Sequence, residues 1–226
     1  LRLLPVCTAR ELQSIATKNT GAGNVVDWIC GHSLGVEFPA HPESLRTAGP
    51  AFLTAAFRAA GTLEDDNSVT AITEFADCPG GSTGRKALLT VQYQHPAPDL
   101  HTELFVKFSR DFSDPVRDRA RTQMAREVQF ALRSRDPDFP IVVPRCYFAD
   151  YDPDTGSGIL VTERIPYGRG GIEPHYEKCL DYQMPAPLQH YRALVTALAR
   201  LAGTYKAPAL AALAESGRMS VDDMLT

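Results

Sequence analysis

Apolar residues recur along this chain with a spacing that changes twice. Residues 1–62 have a helical pattern, with a capping box at residues 8–12 and a second helix predicted over residues 50–61. From Ser68 the pattern is that of β-strands, and an apolar stripe at helical spacing occupies residues 188–205. The pattern predicts helices, then a group of strands, then helices again.

Five strand-like runs fill the middle of the chain. They are residues 68–75, 87–94, 103–109, 141–149 and 158–162. A helix is predicted over residues 114–133, because a capping Ser113-Asp114 pair precedes Pro115. Residues 152–156 have the composition of a hairpin turn. The order predicts an α+β fold in which a five-stranded antiparallel sheet carries one packed helix and is flanked by helices.

The charged residues exclude some classes of partner. The formal net charge is -4 and the sequence pI is near 5.9, whereas a general nucleic-acid or anionic-membrane surface needs clustered cations. Four arginines do cluster: Arg117, Arg119, Arg121 and Arg126. Because Asp114, Asp118 and Glu127 alternate with them, the pattern favours a solvated helix face over the alternative of an anion site.

The cysteines and the apolar runs indicate the cellular compartment that is expected for the protein. The five cysteines are Cys7, Cys30, Cys78, Cys146 and Cys179. Their odd number and wide spacing indicate neither a disulfide framework nor a zinc site, which favours a reducing compartment and a cytoplasmic protein. No apolar run has the length of a membrane span, so no membrane partner is expected. The chain begins with Leu1 instead of methionine, and we therefore expect a fragment of a longer protein.

Lys107 is the first candidate for a functional residue, because it lies between Val106 and Phe108 in an apolar strand. A buried ammonium group loses its hydration and is tolerated only when it is paired. Glu127, on the next predicted helix, is the candidate partner. The alternatives are an edge-strand lysine that discourages aggregation and an ordinary surface glutamate.

A glycine-rich loop separates the first two predicted strands. It contains Gly80, Gly81, Ser82, Thr83 and Gly84. Backbone amides in such a loop can approach phosphate oxygens closely, because glycine has no obstructing Cβ. An ordinary hairpin is the alternative, and the P-loop pattern of nucleotide-binding proteins does not fit, because a strand follows instead of a helix. A loop, a strand lysine and a helix glutamate in this order are typical of the phosphate-holding part of kinases.

The region from about residue 61 to residue 171 resembles the N-terminal lobe of the aminoglycoside phosphotransferase and choline-kinase-like family, nearest to its ecdysteroid-kinase-like branch. The similar runs are residues 104–109, 126–130, 143–147 and 160–163. The resemblance implies a protein-kinase-like fold, ATP with Mg²⁺ as cofactors, and a small molecule with a hydroxyl group as acceptor. It also implies that the backbone of Glu163, Arg164 and Ile165 hydrogen-bonds adenine. The implied division is a helical segment at 1–62, the lobe at 63–166, and a linker with the first helices of a second lobe at 167–226.

The chain departs from that family at its catalytic centre. The family needs a His-x-Asp loop with a downstream Asn and a metal-binding Asp, and none of these motifs occurs up to Thr226. We therefore assign no catalytic residue, expect the metal ligands in a missing C-terminal part, and predict that this chain alone is inactive. The alternative is a non-catalytic nucleotide-binding or protein-interaction scaffold, in which Lys107 and Glu127 form only a structural ion pair.

Overall fold

The computed structural model describes residues 27–79, 83–177 and 179–204. The chain divides into two compact units, residues 1–136 with 144–165 and residues 137–143 with 166–226. The elements of the first unit are β1 (Trp28–Cys30), β2 (Glu37–Pro39), α1 (Pro42–Ala59), β3 (Val69–Asp77), β4 (Lys86–Tyr93), β5 (Glu103–Phe108), α2 (Arg121–Arg133), β6 (Cys146–Asp152) and β7 (Ser157–Glu163). The described part of the second unit contains α3 (Pro187–Thr204).

Five strands form one antiparallel sheet in the order β3-β4-β5-β7-β6, and β1 and β2 form a separate two-stranded hairpin. The α+β class and the five-stranded antiparallel sheet are therefore confirmed. β5 is the central strand. Its register sets Lys107 opposite Lys86 of β4 and Leu160 of β7.

The two faces of this sheet carry different layers. Side chains alternate between faces along a strand, and on β7 Ile159 and Val161 belong to the larger core, whereas Leu160 packs against a smaller cluster. The larger core includes Phe52 and Phe57 of α1. The smaller cluster contains the buried stripe of α2, which is Met124, Val128 and Ala131. We call these the α1 face and the α2 face.

The prediction that residues 1–62 are helical is wrong for β1 and β2, which form the hairpin. The predicted capping box at residues 8–12 lies outside the described residues. Helix α1 begins at Pro42, earlier than residue 50, because the His41 side chain accepts the Ser44 N–H at 3.3 Å and caps its first turn. The helix is interrupted at Gly49, whose φ is +62°. The helix ends just before Gly61, the predicted stop, whose φ is +64°.

Helix α2 and strand β6 both begin later than predicted. Asp114 does not start the helix: its carboxylate accepts the Val116 N–H at 2.8 Å and closes a local turn, and α2 begins at Arg121. Residues 141–145 lie outside β6, which begins at Cys146. Pro144 lacks the N–H that a strand needs for pairing. The predicted turn at residues 152–156 is confirmed, since Asp152 accepts the Thr155 N–H at 3.0 Å.

The helix predicted over residues 188–205 is confirmed as α3 in the second unit, although Tyr205 lies outside the described residues. The apolar stripe of α3 is exposed in the described part of the chain; it contains Leu188, Tyr191, Leu194, Val195 and Leu198. A search of the described helices found none with the length and apolar character needed to cross a membrane.

The cysteines differ from the prediction at one position. Cys30 is disulfide-bonded, whereas Cys78, Cys146 and Cys179 are free. The expectation that the cysteines form no disulfide is therefore wrong at Cys30, and the argument for a reducing compartment loses that support. Cys146 behaves as a core residue, because burial raises the pKa of its thiol to about 11 and keeps it protonated at neutral pH.

Candidate functional site

Lys107 lies on the α2 face because of strand alternation. Leu104, Val106 and Phe108 of β5 are buried in the core on the α1 face, so Lys107 projects from the opposite side. Only 12% of its side chain is exposed. A lysine in the central strand of a sheet does not protect an edge, and the edge-strand alternative is wrong.

Glu127 reaches Lys107 from α2. The Lys107 Nζ lies 2.6 Å from Oε1 and 2.5 Å from Oε2 of Glu127, whose side chain is 34% exposed. Met124 and Val128, on either side of Glu127 along α2, are buried against β6 and β7. Their packing holds the helix at the height where the carboxylate meets the ammonium group. The structure therefore joins the two residues that the sequence paired.

Lys86 is a neighbour that the sequence analysis missed. It lies directly opposite Lys107 in the register of β4 and β5, so both side chains project from the same face. Like charges at directly opposed positions are unfavourable, and Glu127 offsets the charge of Lys107. The strand spacing alone could not reveal this pairing, because the register depends on the length of the loop between β4 and β5.

The described end of the glycine-rich loop lies against the end of β5. The φ of Gly84 is +141°, and a Cβ there would lie 2.0 Å from the carbonyl oxygen of Phe108. Only glycine allows this approach. Next to it, the Phe108 N–H donates to the Arg85 carbonyl at 2.8 Å. Thr83 and Gly84 are thus close to the lysine strand, while Gly80, Gly81 and Ser82 lie outside the described residues.

The segment predicted to contact adenine follows β7. The N–H of Glu163 donates to the Arg145 carbonyl at 2.9 Å, and the N–H of Arg164 donates to the Glu103 carbonyl at 3.0 Å. Both donors are therefore used within the fold. The Ile165 N–H makes no such bond to the described residues, which leaves it and the backbone carbonyls as the groups available to a base.

The side chain of Glu163 is fixed from two sides. One oxygen accepts the Arg145 N–H at 2.8 Å, and the other lies 2.8 Å from His101 Nε2. The buried Tyr147 hydroxyl accepts the His101 N–H at 2.6 Å. Burial raises the pKa of Tyr147, so this hydroxyl stays protonated at neutral pH. The network therefore holds the Glu163 side chain at the end of β7.

The arginine cluster differs from its prediction at one residue. Arg119, Arg121 and Arg126 are exposed, as expected for a solvated surface. Arg117 is only 7% exposed, and for this residue the prediction is wrong. Its Nη2 donates to the Thr155 carbonyl at 2.8 Å and to the Ser157 hydroxyl at 2.7 Å. The guanidinium group therefore lies inside the fold, beneath the turn between β6 and β7.

Neither a search for metal ligands nor comparison with known proteins assigns a function to this site. Within the described ranges, no group of three or more His, Cys, Asp or Glu side chains could hold a metal ion. Comparison with protein-family models, with curated proteins and with solved structures found no match for this chain. Any functional argument therefore depends on the residues and their geometry.

Proposed function

We propose that the protein is an ATP-dependent phosphotransferase, or the nucleotide-binding part of one, that acts on a hydroxyl group of a small molecule. The observation that carries the proposal is the ion pair between Lys107 and Glu127, which joins the central strand to the helix packed on it. In kinases a strand lysine, held by a helix glutamate, contacts the α- and β-phosphates.

The ion pair leaves Lys107 able to bind a ligand. An ammonium group has three N–H donors, and contacts with the two oxygens of Glu127 occupy two of them. The third can donate to a phosphate oxygen. Lys86 lies opposite Lys107, and its side chain projects from the same face.

Two further features support the same reading. The Thr83 and Gly84 backbone lies beside the end of the lysine strand, where a glycine-rich loop would cover phosphates. Ile165 offers a backbone N–H just beyond β7, the next strand of the sheet, where adenine would lie. A kinase-like lobe accounts for the loop, the lysine, the glutamate and this segment together.

The chemistry would transfer the γ-phosphoryl group of ATP. The bond between the γ-phosphorus and the bridging oxygen breaks, the acceptor oxygen forms a new bond to phosphorus, and the hydroxyl proton passes to a base. We assign neither that base nor a Mg²⁺ ligand to a described residue. Mg²⁺ would arrive bound to ATP.

Nucleotide binding tests the proposal directly. Titration of Mg-ATP into the purified protein, followed by calorimetry, should give saturable binding that Lys107→Ala weakens by about 1–3 kcal/mol, the scale of a lost charge-assisted hydrogen bond. Arg133→Ala is the matched control, because it removes one positive charge at the far end of α2. Absence of binding to the folded wild type, or equal weakening in both variants, would contradict the proposal.

The second candidate is a protein-interaction scaffold in which the ion pair is only structural, and the contact of Lys107 Nζ with both Glu127 oxygens favours it. The double variant Lys107→Met with Glu127→Leu separates the two. Replacing an ion pair by apolar residues of similar volume is often neutral for stability. A phosphotransferase should then keep its free energy of unfolding and lose ATP binding, whereas a protein-interaction scaffold has no ATP binding to lose.

A further inference from the structure

A small polar pocket lies beside the candidate nucleotide site, between the end of β5, the first turn of α2 and the turn between β6 and β7. The pocket is small and open to solvent. The residues that matter here are Thr83, Ser109, Arg110, Arg117, Arg121 and Gly156. Three of these are arginines, and none of the described residues that line the pocket is acidic.

Two of the three arginines have no carboxylate partner in the described parts of the chain. Arg110 pairs with Asp114 at 2.7 Å. By contrast, Arg117 donates to the carbonyls of Arg110 and Thr155 and to a hydroxyl, and Arg121 donates to the carbonyls of Pro153 and Asp154. These neutral acceptors satisfy hydrogen bonds, but neither guanidinium group forms an ion pair with a described carboxylate.

The charge of Arg117 is expensive to bury. Its side chain stacks on Phe112, with the guanidinium carbon 4.0 Å from the ring centre. Burial lowers the pKa of Arg117, although the more distant carboxylates of Asp118 and Asp111 act in the opposite direction. Buried charges in proteins are normally paired with an opposite charge or bound to an ion, so a buried guanidinium group without a described ion pair favours an anion as its ligand.

The position of the pocket relates it to the lysine site. Ser109 follows Lys107 by two residues, and Met124, which also lines the pocket, precedes Glu127 by three. The pocket is therefore about one helical turn, roughly 5 Å along α2, from the ion pair. Gly156 lets the Arg121 side chain pack closely over the turn, because a Cβ there would lie 2.8 Å from Arg121 Cγ.

We propose that this pocket binds a phosphoryl group, with Arg117 and Arg121 supplying the compensating positive charge. Arginine suits this role because its planar fork of donors matches phosphate oxygens. The ligand is either a free phosphorylated small molecule or the end of a nucleotide that Lys107 holds. The inference needs only the pocket and does not depend on the proposed transfer reaction.

Phosphate binding to the full chain tests the pocket. Inorganic phosphate is titrated while the backbone amide signals of Ser109, Gly156 and Arg121 are followed by NMR. Wild type should show saturable shifts at these residues. Arg121→Gln removes the charge of an exposed side chain but keeps an amide that can donate a hydrogen bond, and should weaken phosphate binding about tenfold, the effect of losing one charge-assisted contact. Arg133→Gln removes the same charge at the other end of α2 and should leave binding unchanged.

Three outcomes would contradict phosphate binding in the pocket. They are no shifts in the folded wild type, equal affinity in Arg121→Gln and wild type, or loss of phosphate binding in Lys107→Ala, which would place the anion at the lysine.

If the pocket does bind phosphate, ATP titration identifies the source of the phosphoryl group. Weaker ATP binding in Arg121→Gln indicates the nucleotide, and unchanged ATP binding indicates a separate ligand. Failure of ATP binding alone, with Arg121-dependent phosphate binding intact, contradicts only the proposed function.

Discussion

The two faces of the central sheet bury different kinds of side chain. On the α1 face, the rings of Phe52 and Phe148 pack edge to face with their centroids 5.8 Å apart. The ring centroids of Phe57 and Tyr147 lie 5.1 Å apart. On the α2 face, the apolar cluster is small, and the ion pair of Lys107 and a guanidinium group lie beside it. The first face gains stability from apolar area, and the second gives up part of that gain to hold charge.

The difference indicates where function lies. A protein that only needed to cover its sheet could have packed α2 as it packs α1, because apolar side chains on β5 and β7 would cost nothing in desolvation. Instead, Lys107, Lys86 and Arg117 are positive groups on or beside one face. Burying cations is reasonable where an anion binds, so we expect the α1 face to determine folding and the α2 face to determine binding.

The largest expected effect is on the α1 face. Phe57→Ala removes a fully buried ring that contacts Tyr147, and should lower the free energy of unfolding by about 3–5 kcal/mol. Met124→Ala, in the smaller cluster on the α2 face, should cost less, about 2 kcal/mol, at the low end for a buried methionine. Urea denaturation measures both. An equal or larger cost at Met124 would break the comparison.

The strands of this fold could be predicted from the sequence because alternation marks them directly. All five strands were placed within a few residues, apart from the start of β6. The hairpin of β1 and β2 could not be predicted, because each of its strands is three residues long and too short for a period to be visible. The predicted start of α1 is too late because Pro50, a typical first-turn residue, lies just after the interruption at Gly49 and not at the start of the helix.

One buried charge also occurs among the described residues on the α1 face, and it differs from those on the α2 face in its partners. The Asp150 carboxylate is fully buried and accepts three backbone N–H groups, those of Ser33, Leu34 and Tyr151, at 2.8–3.0 Å. It anchors the turn of the β1–β2 hairpin to β6. Three backbone donors stabilise its charge, and it lies on the face opposite Lys107.

Asp150→Asn should therefore destabilise the protein without changing phosphate or ATP binding. The amide keeps one acceptor oxygen but turns an NH₂ group toward a backbone donor, and a loss of about 2 kcal/mol is expected, the scale of hydrogen bonds to a charged group. Asp154→Asn, at an exposed position in the next turn, is the control. A change in ligand affinity at Asp150 would mean that the two sides are not independent.

The candidate site was only partly predictable, and the reason is register. Lys107 and Glu127 could be paired because a buried lysine demands a carboxylate and the next helix offers one. Lys86 could not be found, since its position opposite Lys107 depends on how two strands align. Arg117 was assigned to a solvated helix face because α2 was predicted to begin at Asp114; the actual start at Arg121 leaves Arg117 in a turn that folds inward.

The smallest expected effect concerns an ion pair that joins the start of α1 to the start of β4, outside both cores. Arg85 donates to both oxygens of Glu43, at 2.8 Å and 2.5 Å. This guanidinium group lowers the pKa of Glu43 from 4.5 to about 2. The folded state therefore favours the ionised form, and the stabilisation is present above about pH 4.5 and is lost as the pH falls toward 2.

Because 58% of the Glu43 side chain is exposed, solvent screening limits this contribution to less than about 1 kcal/mol. Glu43→Gln should lower the free energy of unfolding slightly near pH 6, and the difference from wild type should shrink as the pH is lowered below 4.5. Glu64→Gln, at an exposed position after α1, should show no such trend. If the Glu43 difference exceeds that of Met124→Ala, or does not vary with pH, a surface contact matters as much as packing, and the contrast between the two faces would not describe how this fold is stabilised.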